Sequence, residues 1–538
     1  MKTQLIAHIL GVITLSFPVY SEQWNSFDYF PPMEQLYHPV STTHKKAQEA
    51  FDKGLLAIYA FNYDAALQSF EEASQYDPNL AMAYWGMALS IDENLDAYAN
   101  AVHAKLTTYL CQKALALSEN ASEQEKAYIE ALAKRFSDNP KADKNELRRS
   151  YAEAMKKLVH AYPDDLDAAT LYAESLMDLL FWDFWESDKT PKTGILEIVD
   201  LLSSVLKNNP YHIGANHYYI HALENSPYPE RALMSAYRLT FMNVSEWGHL
   251  LHTPTHIFMR VGSYDEAVDA NQRAVAADQQ YIQRHGWEGK YPLKYMAHNL
   301  SYLTIAYLWQ ERFEEALKTA ETLKSVVAPF ISEIAYFRYD ALMGYEVYLY
   351  FHRWKELVAL PKPTEEEGMI VLAYWTFAQA MAYVHLGEFE KAKEFQIHLQ
   401  NFKKPLLEHA DSDAVAFISN MLFYAETVLQ ASLARAHGDL KQAVDLLQQA
   451  ADKQTNYFDF TWFHPIAQTL GATLLEAGRL EEAETIFRHA LSQAPKNGRL
   501  LFGLGQALKN QGKTDYSIER EAQDALRHAA KKLTLNDL

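Results

Sequence analysis

The sequence predicts an all-α protein, a right-handed superhelical solenoid of about eleven or twelve helical hairpins. Three observations carry that prediction. Small residues and aromatics recur at fixed positions with a period near 34 residues. No segment alternates apolar and polar residues in the manner of a strand. Repeat units close on helix-stopping residues such as Asp77-Pro78, because the residue before a proline is pushed out of the helical region.

From the N-terminus, Lys2 precedes an apolar stretch from Leu5 to Phe17, and Val19 and Ser21 are spaced like a small-residue cleavage site. Residues 1–21 are therefore expected to be a removable signal peptide, and the protein to be periplasmic or secreted. Residues 22–40 are aromatic and Pro-containing and are expected to form an extended arm, with Ser41 or Thr42 capping the first helix. The first clear repeat follows, with Gly54, Tyr63, Ala66, Phe70, Ala73 and Pro78 at offsets 8, 17, 20, 24, 27 and 32 of the unit. Weaker copies include AMAYWGMALS, LYAESLMDLL, IFMRVGSYDEAV, AYLWQERFEEAL, AYVHLGEFEKAK and ARAHGDLKQAV. The clearest copy is C-terminal, where Gly471, Gly478, Leu480, Ala483, Phe487, Ala490 and Pro495 hold the same register. Facing helices approach closely at Ala and Gly, and Tyr, Phe and Leu fill the space beside them.

Breaks in the repeat mark loops on one face. FWDFWESDKTPKTG after Leu180 and IQRHGWEGKYPLKYM from Ile282 are longer than a repeat turn and can wall a groove. The polar, Pro-containing ALPKPTEEEG at 359–368 is the expected boundary between an N-terminal solenoid, 41–360, and C-terminal repeats, 369–538.

Composition narrows the function classes. With 538 residues, 49% hydrophobic, the chain can bury a large core, and no apolar run after the N-terminus is long enough to span a membrane. The net charge of −20 with no basic stripe argues against nucleic acid and anionic lipid as partners. Cys111 stands alone, so no internal disulfide is expected.

Histidine is concentrated where the repeat register can be read. His217, His221, His249, His252, His256, His285 and His298 fall within 82 of the 538 residues, against roughly three for an even spread of 21. Pro210 at offset 32 and Ala232 at offset 20 place His217 at 5, His221 at 9 and Glu224 at 12. Gly262, Tyr264 and Ala267 place His249 at 2, His252 at 5 and His256 at 9, and Phe313 with Ala316 places His298 at 2. At 100° per residue these offsets form one stripe, turned away from the core stripe and toward the concave surface. Histidines four apart offer two nitrogens on one side of a helix, and neighbouring helices about 8–10 Å apart can share a centre.

A transition-metal site built from His217, His221, Glu224, His249, His252, His256 and His298 is therefore expected. Its nitrogen and oxygen donors suit Zn first, with Cu, Ni or Fe as alternatives. Glu224 is a further ligand or the base that takes a proton from bound water. Pro254 lacks an amide hydrogen and leaves the direction of His249 open. His38, His212 and His285 are expected in solvent. Glu174, on the same inner stripe one hairpin earlier, is a further candidate carboxylate, and Arg260 a candidate to hold an anionic substrate group.

Several chemistries are not supported. HYYIH has Tyr218 where a metalloprotease of the HExxH type needs Glu. There is no GxSxG elbow, no phosphate-cradling glycine loop and no cysteine nucleophile context.

The offsets are those of the tetratricopeptide repeat. The segments HPVSTTHKKAQEAFDKGLLAIYAFNYDAALQSF, DPNLAMAYWGMAL, GANHYYIHALE and GHLLHTPTHIFMRVGSYDEAV resemble a family of exported bacterial tetratricopeptide proteins carrying ANHYYIHA and GHLxHxPxH blocks. The resemblance covers most of residues 38–330. It implies fold and export, places the five histidines from His217 to His256 in a family pattern, and supplies no reaction. The same offsets disfavour one adaptor role, since Phe51 and Leu55 stand where a carboxylate clamp needs Lys and Asn. Two function classes remain: a metal-dependent hydrolase or metal carrier, and a non-catalytic scaffold gripping a peptide or protein partner in the concave groove through Tyr218, Tyr219 and Trp247.

Overall fold

The computed structural model describes residues 36–91, 101–139, 141–181, 183–241, 247–286, 291–331, 337–408, 412–454, 462 and 466–538. The expected signal peptide and most of the arm, up to residue 35, lie outside these residues. Within them the protein is all-α, and β structure is confined to isolated bridges such as Trp185 with Pro191. No described helix is long and apolar enough to cross a membrane.

The described residues fall into two compact units, an N-terminal one drawn from 19–258 and 273–296 and a C-terminal one drawn from 259–272 and 297–538. The expected boundary at 359–368 is not where the chain divides. That stretch lies inside the C-terminal unit, where Lys324 Nζ meets Glu367 Oε1 at 2.6 Å and, just before the stretch, the Leu357 carbonyl accepts from Gln379 Nε2 at 2.7 Å. A polar composition made it look like a linker; side-chain pairs to packed helices hold it in place.

In the N-terminal unit the helices Lys45–Tyr59, Tyr63–Tyr76 and Ala81–Ile91 pack in succession. A β-carbon on either Gly54 or Gly86 would overlap the ring of Phe70, so the ring is clamped between two glycine faces. The C-terminal unit repeats this design in the helices Ile466–Glu476, Leu480–Gln493 and Gly498–Asn510, with Phe487 clamped between Gly471 and Gly503. Both sets have spacings of 16 and 32 residues, which is the physical content of the repeat. The turn between the first two helices is made by Phe61, at φ 57°, and by Asn62, whose side chain accepts from the Ala65 amide at 3.0 Å.

The first helix is not capped by Ser41 or Thr42. Its N-cap is His44, whose side chain makes no capping bond. Ser41 turns instead to Glu125, its amide donating to Oε1 at 2.7 Å, and the Thr42 hydroxyl donates to Asp77 at 2.6 Å. Glu125 also completes a capping box with Ser122 on the Glu123–Leu132 helix, so one buried carboxylate secures both the arm and a helix start.

Candidate metal centre

The centre is built on two short stretches of the N-terminal unit. The helix Ile213–Leu223 carries His217 and His221 one turn apart and ends at Glu224. Its close seating on the first helix depends on Gly214, where a β-carbon would press into the Tyr59 ring. The helix Gly248–His252 carries His249 and His252, and a second helix starting at Pro254 carries His256. The missing amide of Pro254 accounts for the break, and His249 sits inside the short helix rather than ahead of it.

These five histidines are buried, His217 and His252 completely and the others no more than 6% exposed. They do not line an open groove as the register alone predicts. Phe61 explains part of this, its ring centroid lying 4.5 Å from that of His217 and 5.3 Å from that of His249. Tyr295 also packs on His249, with centroids 4.4 Å apart, and Trp185 donates its indole N–H to the Ala222 carbonyl at 2.9 Å beside His221.

The hydrogen bonds assign the tautomers. His217 Nδ1 lies 2.6 Å from the Tyr59 carbonyl oxygen, which only accepts, so Nδ1 carries the proton. His221 Nδ1 lies 3.0 Å from Glu224 Oε1 and His256 Nδ1 lies 2.7 Å from Glu224 Oε2, so both donate to one carboxylate. Burial alone would raise Glu224, but the charges and hydrogen bonds of His256 and His221 hold it well below the usual carboxylate range. Burial, then the neighbouring His221, hold His217 well below the usual imidazole range, so it is neutral.

His217, His221 and His256 therefore turn Nε2 inward, and the Nε2 atoms of His249 and His252 face them. His217 Nε2 lies 3.0 Å from His221 Nε2 and 3.2 Å from His249 Nε2, and His252 Nε2 lies 3.1 Å from His256 Nε2. His217, His221 and His249 offer donor atoms all within 4.8 Å of one another, as do His221, Glu224 and His256. For a tetrahedral ion with metal–nitrogen bonds of about 2.0–2.1 Å, neighbouring ligand nitrogens lie about 3.3 Å apart. The observed separations are close to that value.

Glu174 is buried in an ion cluster, 4.0 Å from Arg135, with Asp178 pairing to Arg135 and Arg148 at 3.1 Å each. His298 and Arg260 belong to the C-terminal unit, where His298 packs on Tyr302 with centroids 4.8 Å apart and Arg260 donates to the Gln493 carbonyl at 2.7 Å. His285 is exposed as expected. His38 and His212 are not solvated, being 7% and 8% exposed and both joined to Asp167. Tyr59 and Phe61 escaped sequence reading because nothing in a repeat pattern marks a carbonyl or a covering ring.

Residues 474–530 match the tetratricopeptide repeat family model, so the chain carries tetratricopeptide repeat sequence there. No curated relative matches it in sequence. Among solved structures it is similar to the human IFIT1 dimer with m7Gppp-AAAA, at 13% identity and TM-score 0.33, covering 91% of each chain. It is also similar to the APC/C hetero-tetramer Cut9-Hcn1, at 12% identity and TM-score 0.26, covering 90% of this chain and 97% of that one. A third is yeast Tom70, at 13% identity and TM-score 0.20, covering 90% of this chain and all of that one.

Proposed function

We propose that the protein is a repeat scaffold whose N-terminal unit holds a transition metal, zinc in the first instance, between His217, His221 and His249. One observation carries the reading: buried imidazole nitrogens converge at 3.0 and 3.2 Å while the far nitrogens of His217 and His221 are committed to the Tyr59 carbonyl and Glu224. Two inward lone pairs at that distance repel unless a cation lies between them. A proton on His221, with Glu224 as counter-ion, would relieve that one contact, but the same carboxylate already serves His256, whose Nε2 faces His252 in the same way. A metal relieves the whole set and matches the arrangement in which a carboxylate or carbonyl orients each ligand histidine.

In this reading Glu224 positions the ligand His221 through one oxygen and holds the neighbouring His256 through the other. Burial of the ligands supports a structural or carried metal over a hydrolase. The expected leader at residues 1–21 supports a working place outside the cytoplasm. X-ray absorption at the zinc edge of the loaded protein tests the ligand set. A first shell of imidazole nitrogens near about 2.0 Å is expected; a shell of water and carboxylate oxygens alone would refute it.

A second reading, a scaffold without metal, is favoured by the tetratricopeptide match at residues 474–530, since stacked repeats commonly bind a peptide or protein partner. The two separate experimentally. Removing one histidine pair abolishes metal binding at this centre at once, whereas partner binding erodes by degrees as contacts are lost.

A further inference from the structure

A cleft of about 1010 Å³ opens in the N-terminal unit between the chain at His38, the turn at Tyr162–Asp165 and the start of the Ile213–Leu223 helix. At its floor is Asp167. The His38 Nδ1–H donates to Asp167 Oδ2 at 2.8 Å, and the Tyr59 hydroxyl donates to Oδ1 at 2.5 Å. His212 accepts the Ala215 amide on Nδ1 at 3.2 Å, which turns its Nε2 to Asp167 Oδ1, also at 3.2 Å. Asp165 stands alongside, its Oδ2 accepting from Gln124 at 2.6 Å and Tyr128 at 2.8 Å. His38, Asp165 and Asp167 each present a donor atom, and these lie within 4.8 Å of one another.

Charge gives an independent argument. Glu125, Asp164, Asp165 and Asp167 line the cleft, and among the described residues no lysine or arginine does. Asp52 adds a further carboxylate behind His38, accepting its amide at 2.9 Å. Among the described lining residues, only His38 and His212 can supply positive charge. Carboxylates gathered in a recess in excess of the positive charge around them are stabilised by a bound cation.

We infer that this cleft is a second metal site, distinct from the buried histidine centre, in which His38, Asp165 and Asp167 ligate a divalent transition metal beside His212. One nitrogen and two carboxylate oxygens form a harder donor set than the three imidazoles of the first centre, suited to Zn(II), Fe(II), Co(II) or Mn(II). The cleft gives solvent a path to the ion, so this metal exchanges where the first is enclosed. The two sites share Tyr59, whose hydroxyl holds Asp167 while its carbonyl holds His217. They also share the Ile213–Leu223 helix, with His212 as its N-cap and His217 one turn inside. Occupancy of one site therefore fixes residues that orient ligands of the other.

Cobalt(II) is the probe, on the full chain with His217→Gln/His221→Gln silencing the first centre. This protein is expected to retain about one cobalt through dialysis, and adding His38→Gln/Asp165→Asn is expected to remove it. Asn at 165 still caps the Leu166–Leu179 helix, which circular dichroism verifies. No retained cobalt in the first variant, or unchanged cobalt in the second, overturns the assignment. In the parent chain, cobalt should also shield His38 from diethylpyrocarbonate, read by peptide mass spectrometry; a His38 equally modified with and without cobalt overturns it without any variant. The first centre's reading fails separately, through unchanged metal content on His217→Gln/His221→Gln.

Discussion

Replacing Glu224 by Gln probes how the first centre is held. The carboxylate accepts the Nδ1 protons of His221 at 3.0 Å and His256 at 2.7 Å. A carboxamide of the same shape keeps one accepting oxygen and turns an NH2 toward the other histidine. That histidine must move its proton to Nε2, the nitrogen that faces the metal, and so is lost as a donor. Loss of such an orienting partner costs about 10–100-fold in metal affinity, or about 1.4–2.7 kcal/mol. Competition against a chromophoric chelator at neutral pH measures it, with circular dichroism confirming that the helices persist. Unchanged zinc affinity in Glu224→Gln would refute the tautomer assignment on which the centre rests.

Three further predictions concern stability. Gly471→Ala gains about 1 kcal/mol in helix propensity but drives a methyl group into the Phe487 ring, which costs about 1–3 kcal/mol; the net effect in urea denaturation is a loss, and a more stable variant contradicts the clamp. Arg499 donates to both oxygens of Glu311, at 2.7 and 3.0 Å, with both side chains buried. Arg499→Leu should cost about 3–5 kcal/mol by stranding that charge, and Glu311→Leu/Arg499→Leu should recover most of it; an equal loss in both variants goes against the argument. Burial pushes Glu346 from 4.5 up to about 8. The unfolded chain then releases its proton near pH 4.5 while the native chain keeps it, so stability is lost as pH rises from 4.5 toward 8. Glu346→Gln, which still accepts from the Tyr374 hydroxyl, should match the parent at pH 4.5 and exceed it at pH 8 by on the order of 4 kcal/mol. Parallel pH profiles of melting temperature would contradict this.

The fold was legible because a repeat writes its packing rule many times over. Gly54 with Phe70 and Gly471 with Phe487 sit at the same spacing, and the structure shows why: a ring needs a face without a β-carbon to lie against. His217 and His221 were equally legible, since a four-residue spacing on a helix fixes their common face. What escaped is long-range. The Tyr59 carbonyl that sets the His217 tautomer is 158 residues away, and the His38–Asp167 pair spans 129. An extended arm gives no period, so His38 read as solvated while Asp52 and Asp167 drew it inward. The depth of the histidine centre was also hidden, because the covering ring of Phe61 belongs to a turn whose backbone, at φ 57°, no pattern announces.

The central claim is that His217, His221 and His249 hold a metal. Elemental analysis of untagged protein, beside a His217→Ala/His221→Ala variant with intact helical circular dichroism, tests it most directly. The account predicts transition metal in stoichiometric amount in the parent, falling in the variant by the share that the first centre holds. A parent that carries no metal and takes up neither added zinc nor copper would contradict it.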